Sequence, residues 1–498
     1  MTEVIDKNMD SATLVRMLEE QILQNKELRS QIEKLSSQLA ILQNMLFGQK
    51  SERSKTNKNK KDLDSKNQQA DITTKDTSDT TNSSTGRRKL SLDIERQKIR
   101  YDLPEADKKC KCCQRTLHCI GKEISEQLDF IPARLIVKEH IRYKYACRCI
   151  GSKILIAPMP NQPIDKGLAG SGLLAEVLVN KYQDALPLYR QQMRWQRLGY
   201  ELATSTLSDW VMQCAERLQP IVDAMIDTYL LKAYKIHTDD TVIPVLNQGK
   251  TLNCRLWVYV AGGGNVTPCV IYQYSKTRSQ TVPQSFLKNY QGYLQADAYP
   301  GYNKLFEDNK IIEIGCMAHA RRKFTDVAKV VKDDSLANIA IEYIAKLYKI
   351  EKTCKKFSSH EKYYYRRKYA KPILKTYFKW LNKAFKQAPP KSPLASAIRY
   401  TLNHWKALNN YLLEGYLDID NNCAERVIRP FVIGRKNYLF AGSHRAAKNA
   451  AVIYSLIETC KSLNINTFDY FKDVLARLPN TLNKDISLLF PANWRAIA

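Results

Sequence analysis

Between Ala233 and Tyr274 the hydrophobic period of this chain shortens from that of helices to that of strands. "AYKIHTDDTVIPV", "CRLWVYVAGG" and "PCVIYQYS" are strand-like runs separated by the turns "NQGK" and "GGGN". A helix ("SQTVPQSFLKNY"), a fourth strand ("GYLQADAY"), a fifth ("IIEIGC") and a helix ("AHARRKFTDVAKVV") follow. Three strands and then alternating helix and strand is a mixed α/β order, and it must be built into a chain that is otherwise mostly helical. The expected class is therefore multidomain α+β.

Upstream, Gly167 to Ile226 reads as helices, with Gly199 breaking the pattern and Thr204 or Ser205 capping the next helix. That spacing fits a helix-turn-helix, and an ordinary helical hairpin fits it as well. At the N-terminus, Leu18, Asn25, Ile32, Leu39 and Leu46 fall at position a of a heptad, and Leu14, Gln21, Leu28, Leu35 and Leu42 at d. This predicts a self-associating coiled coil whose register Asn25 fixes, against the simpler alternative of an amphipathic helix packed on the rest of the protein. Residues 51 to 91 are Lys, Asn, Asp, Ser and Thr with few large apolar side chains, too little to offset the entropy of ordering them.

Six of the 13 cysteines fall between Cys110 and Cys149. Cys110 and Cys113 form a CxxC knuckle, and "YACRC" supplies Cys147 and Cys149. Two thiolate pairs flanking strand-like text suit a structural Zn²⁺. The second pair is CxC, so Cys112 and Cys119 stand as alternative ligands.

The chain carries 78 Lys+Arg against 50 Asp+Glu, a surplus that calls for an anionic partner, and nucleic acid is the first candidate. Arg321 to Lys391 holds 20 Lys+Arg against 6 Asp+Glu, which is half of the whole net charge of +28. Tyrosines are interleaved with these cations, which predicts a phosphate-facing helical surface rather than a merely solvated one. No long uncharged apolar run points to a membrane, and "MTEVIDKNMD" has no signal-peptide core, so a cytoplasmic protein is expected.

Two acids lie where strands meet loops, Asp239 in "HTDDT" and Asp297 in "QADAY". Alternation puts His237, Asp239 and Thr241 on one face of their strand and Asp240 on the other. A third acid, Glu425, lies among Arg426, Arg429, Arg435 and Lys436. An i,i+4 pair with Arg429 would account for it cheaply, at about 0.3–0.5 kcal/mol. Two strand-borne aspartates and a helix-borne glutamate could instead hold two Mg²⁺ (or Mn²⁺) ions for phosphodiester chemistry, the arginines gripping DNA. Asp420, Asn421 and Asn422 are expected to cap a short helix that Pro430 ends.

"HTDDTVIPVL", "LQADAYPGYN", "GCMAHARRKF", "DNNCAERVIRPFVIGRKNYLFAGS" and "LLFPANW" together resemble the insertion-sequence 66 family of bacterial transposases. The resemblance covers nearly the whole chain. It implies a DDE transposase with an RNase H-like core interrupted by a helical insertion, and Asp239, Asp297 and Glu425 as its metal-binding triad. Asp240 stands where that family is expected to carry Glu. The domains implied are a coiled coil (1–50), a disordered linker (51–95), a zinc-finger-like domain (96–165), a helical, helix-turn-helix-like region (166–230), the first part of the core (231–332), a basic helical insertion (333–412) and the second part of the core with the tail (413–498). Expected partners are double-stranded DNA, as element ends and target, a second copy through the coiled coil, and companion proteins of the same element, with the chain nucleoid-associated. Expected phosphate contacts are Arg321, Arg322, Lys323, Arg366, Arg367, Lys368, Arg429, Arg435 and Lys436. A non-catalytic zinc and helix-turn-helix regulator explains the charge but gives the three acids no work, and a structure-specific nuclease would share the site without strand transfer.

Overall fold

The computed structural model describes residues 135–145, 155–156, 158–263, 266–329 and 335–495, with six helical, exposed positions between 21 and 31. The expected coiled-coil seam, apart from Gln21, Asn25 and Leu28, the linker and the four zinc cysteines lie outside these residues. Contacts divide the chain into one unit of 1–49 and 135–498 and another of 50–134, and every described residue belongs to the first.

A two-stranded ribbon, β1 (Lys144–Tyr145) with β2 (Leu155–Ile156), precedes three helices. These are α1 (Ser171–Tyr182), α2 (Leu188–Arg197) and α3 (Thr204–Met225). The break between α2 and α3 falls at Gly199, whose φ of +84° suits glycine, as the sequence suggests. The cap differs from expectation: Ala203 is the N-cap and bonds through no side chain, because Thr204 Oγ1 turns to Gln192 instead.

The sheet is built from β3 (Lys235–Asn247), β4 (Lys250–Gly263), β5 (Val266–Ser275), β6 (Gly292–Gln295) and β7 (Ile311–Ile314), in the order β5-β4-β3-β6-β7. β3, β4 and β5 form an antiparallel meander, while β6 pairs parallel with β3 and β7 parallel with β6. The first hairpin closes on Gln248 and Gly249, both at positive φ, the hand that matches strand twist. Beyond β5 come a short helix α4 (Thr281–Phe286) and, after β7, α5 (Met317–Ala328).

A helical block follows: α6 (Leu336–Thr353), α7 (Ser359–Gln387), α8 (Pro393–Asn403) and α9 (Trp405–Asn409). It has its own core, in which Ile344, Leu347, Leu374, Tyr377 and Leu381 pack with Phe324 of α5. The chain then returns to the sheet through α10 (Asn422–Tyr438), α11 (His444–Ser462) and α12 (Thr467–Arg477). α11 shields the outer edge of β5: the amides of Val270 and Tyr272 donate to Thr459 Oγ1 (3.0 Å) and Ser455 Oγ (2.8 Å). An open strand edge is thereby satisfied within the chain.

Pro430 does not end its helix. α10 runs on to Tyr438, losing one ladder bond at the proline, while buried Ile428, Phe431 and Gly434 hold the turn in place. Among the described residues no helix is long and apolar enough to cross a membrane.

Candidate active site

Three segments meet on one face of β3. Alternation along the strand aims His237, Asp239 and Thr241 toward the chain around α10. His237 contacts Asn421 Oδ1 through Nδ1 (3.0 Å) and Asp418 Oδ2 through Nε2 (3.1 Å), and Thr241 Oγ1 lies 3.5 Å from Arg435 Nη1. Asp240 faces the other way, where Arg255 (3.1 Å) and Arg278 (2.8 Å) hold its carboxylate.

The loop before α10 is a latch. Lys235 Nζ, buried, donates to Asp418 Oδ2 (2.6 Å) and to the Tyr416 carbonyl (2.8 Å). Gln295 Nε2, from β6, donates to the Asp418 carbonyl (2.9 Å). Asn421, fully buried, donates through Nδ2 to the Thr238 carbonyl (2.8 Å) and through its amide to Cys316 Sγ (3.2 Å). Asn421 thus occupies the N-cap position without capping α10, because its side chain is committed to β3. Asp420 Oδ1 accepts the Asn422 amide instead (3.1 Å). The latch holds the chain entering α10 against β3 and β6, and Glu425, in the first turn of α10, faces His319 and Arg322 at the start of α5.

Asp239 lies near enough to Glu425, and to Asp297 just after β6, to feel the charge of both. Burial first, then the charge of Asp297, with smaller contributions from Asp240 and Glu425, push Asp239 up to about 7, against the opposing bond from the Asp240 amide. Burial together with neighbouring carboxylates leaves Asp239 with an electrostatic deficit that a cation would fill. Glu425 Oε1 is buried and without a hydrogen-bond partner. Its nearest cationic neighbour is Arg322, with Nη2 3.6 Å from Oε2.

The structure adds two residues that the sequence reading passed over. His319 Nδ1 is likewise buried and unbonded, 3.8 Å from Glu425 Oε1. Among the described residues, ligand atoms of Cys316, His319 and Glu425 lie within 4.8 Å of one another, a group that does not include the two aspartates. Burial and the Arg322 guanidinium hold His319 below the ordinary histidine range, against the opposing pull of Glu425 and Asp297. Burial pushes the Cys316 thiol up to about 12. The signal was present in "GCMAHARRKF": a Cys-x-x-His at a strand-to-helix junction, which puts both side chains at the helix start.

The expected phosphate contacts divide. Arg321, Lys323, Arg429, Lys436, Arg367 and Lys368 are exposed, and Arg322 is half-buried at Glu425. Arg435 is half-buried and donates to the Val242 carbonyl, which ties α10 to β3. Arg366 is the correction. It is 1% exposed, paired with Glu351 through Nε (2.8 Å) and Nη2 (2.6 Å), and it donates through Nη1 to the carbonyls of Tyr411, Glu414 and Gly415. It cannot face a phosphate. In the helix pair upstream, Tyr189, Arg190, Met193 and Arg197 of α2 are exposed, whereas the outer face of α3 carries Asp209 and Glu216. Basic surface therefore lies on the first helix, not the second.

Comparison with known proteins gives four family matches. Residues 166–449 match the model described as Transposase IS66 family, and residues 107–149 the zinc-finger binding domain of transposase IS66. Residues 455–492 match the IS66 C-terminal element, and residues 34–99 the model described as Transposase C of IS166 homeodomain. The chain is similar to the protein y4hP of Sinorhizobium fredii, 33% identical over 81% of this chain and 76% of that one. It is also similar to y4jD of the same organism, 33% identical over 80% of each.

Proposed function

From the premise that this chain belongs to the IS66 family of transposases, we propose that it is a DDE transposase that cleaves DNA strands at element ends and joins them to target DNA. The observation that supports the reading is that Asp239 feels the charge of both Asp297 and Glu425 and is raised to about 7, with Glu425 Oε1 unsatisfied. Three hard oxygen donors in a cation-deficient site fit Mg²⁺ or Mn²⁺. Two such ions, held by these three acids, would activate the attacking oxygen and stabilise the leaving one. The chain's own groups do the rest. Asp240, locked to Arg255 and Arg278, keeps the strand register that presents Asp239. The latch holds Glu425 in place, and His319 lies beside it, with Nδ1 3.8 Å from Oε1. Exposed Arg321 and Lys323 on α5, with Arg426 and Arg429 on α10, flank the acids with charge for phosphates.

The sheet order, with a helical block between the second and third acids, supports the RNase H-like reading of the core with an insertion. The match over residues 107–149 contains Cys110, Cys113, Cys147 and Cys149, which supports one structural zinc per chain. The heptad supports self-association through residues 1–50.

Asp239→Asn, Asp297→Asn and Glu425→Gln each test the reading in an Mg²⁺-dependent assay on duplexes made from the element's ends. Each variant is expected to bind DNA while losing cleavage by at least about a hundredfold, because ligand charge goes and volume stays. Wild-type cleavage by one variant would remove that residue from the triad. DNA binding without cleavage by the wild type would favour a regulator, and cleavage without a joined donor–target product would favour a nuclease.

A further inference from the structure

Helix α10 carries Glu425 at one end, and its other end is built in an unusual way. Glu425 is the helix's single acid. Beyond it the exposed positions Arg426, Arg429, Ile433 and Lys436 recur at helical spacing along one face, as a stripe of cations with one apolar residue. The stripe ends where Leu439 turns the chain at φ +66° and ψ −53°, closed by the Phe440 amide donating to the Tyr438 carbonyl (2.8 Å). This is a γ-turn of the rarer, strained hand, with leucine where glycine would be at ease. Leu439 is 64% exposed and Phe440 41%.

The turn is not slack chain. Ala441, two residues on, bridges to the end of β3: its amide donates to the Pro244 carbonyl and its carbonyl accepts the Leu246 amide, both at 2.9 Å. The strained, apolar tip is therefore braced on the same strand that carries Asp239. Val245 is six residues from Asp239, or about 20 Å at the rise of a strand. Strain that a rigid frame imposes on an exposed apolar residue confers no stability, and such strain concentrates at functional sites. An apolar tip at the end of a cationic stripe complements one surface in particular. Phosphates line the outside of duplex DNA, and stacked, apolar base faces lie one layer inside.

We propose that Leu439 and Phe440 form a wedge that enters between base pairs of duplex DNA and unstacks them, while Arg429 and Lys436 hold the adjacent phosphates. The inference rests on the DNA-acting reading above and adds a deformation step to it. Opening the duplex near the acids gives a strand the freedom to enter a site recessed against β3, which a stacked, regular duplex lacks. No bond to a base edge is required, so the wedge selects sites by how readily they unstack and not by sequence.

The test uses the full chain and two fluorescein-labelled duplexes of one sequence, one fully paired and one with a central mismatch. A wedge binds the mismatched duplex more tightly, by about tenfold, because part of the unstacking cost is already met. Leu439→Gly combined with Phe440→Ala is expected to abolish that preference. The glycine suits the positive φ, so melting at or above the wild-type temperature separates loss of the wedge from loss of fold. Lys436→Ala is expected to weaken both duplexes together and keep their ratio. Equal wild-type affinity for the two duplexes would overturn the wedge and leave the DNA-acting reading standing. A preference that survives the double substitution would also overturn it. Failure to bind either duplex would overturn the DNA-acting reading and the wedge with it.

Discussion

Asp239 is a residue whose structural and chemical interests conflict. Its carboxyl, ordinarily near 3.8, is raised to about 7 by burial and by its acidic neighbours. A raised acid binds protons more tightly in the folded state than in the unfolded one, so stability falls as pH climbs between those two values. The penalty is absent at about pH 3.8 and below, grows toward pH 7 and is complete above it, with an upper bound of about 4 kcal/mol. In chelator, Asp239→Asn should therefore melt above the wild type at about pH 8 and alongside it near pH 4. Equal melting temperatures across that range would mean that neither burial nor the neighbouring acids raise this carboxyl in the folded protein. The variant would gain stability by giving up the charge that the chemistry needs, a trade common at active sites.

Among elements, α7 shows how neighbouring cations in one run divide between structure and surface. Arg366, Arg367 and Lys368 are consecutive, yet helical geometry turns the first inward and the other two outward. Arg366→Ala leaves Glu351 and three carbonyls without their partner, and should destabilise the helical block by about 3–5 kcal/mol, measured by denaturant unfolding. Arg367→Ala and Lys368→Ala should leave stability nearly unchanged and lower the slope of log affinity against log salt by roughly 0.9 each. A flat salt response in both surface variants would return that face of α7 to solvent. The same contrast marks what could be read in advance. The strands, the Gly199 break and the helix after "IIEIGC" follow from period and turn chemistry, which are local, and the alternation that separates Asp239 from Asp240 is local too. The partners of Arg366 lie 15 to 49 residues away, and those of Asn421 are 105 to 184 residues away. Nothing in a local window reports such partners. Capping rules therefore misassign Asn421, charge counting misassigns Arg366, and the helix-breaking rule ends at Pro430 a helix that packing carries through. The Cys-x-x-His of Cys316 and His319 was legible, but it gained meaning only when Glu425 arrived beside it from more than a hundred residues downstream.

At the scale of the whole molecule, the acids come from segments far apart in the chain that meet over one core. Asp239 and Asp297 extend from the sheet, whose core includes Trp257, Leu256 and Ile457. Glu425 comes only after the helical block with its own core around Leu374 and Tyr377. Without a cation, the start of α10 is held to β3 by the latch, namely Lys235 and His237 on Asp418 together with Asn421 on Thr238, and the rest of the helix by Arg435 and by Ile428 and Phe431 in the sheet's core. The charges of Asp297 and Glu425 act against an ionised Asp239. Cations held by all three acids would reverse that sign and tie the strands to α10 across the helical insertion. A ligand that binds only the folded state stabilises it by about 2.7 kcal/mol at a hundred times its dissociation constant. Mg²⁺ or Mn²⁺ should therefore raise the melting temperature of the chelator-treated wild type, with a midpoint that reports the metal affinity. Ca²⁺, also an oxygen-seeking cation, should do the same whether or not it supports cleavage. Asp239→Asn should begin higher and respond weakly, so that wild type and variant converge as cation is added. Glu425→Gln should also lose the response, since it removes the one ligand contributed by α10. A cation-induced shift of equal size in the wild type and both variants would place the bound ion elsewhere on the chain. The three acids would then be left with electrostatic repulsion and no metal to resolve it.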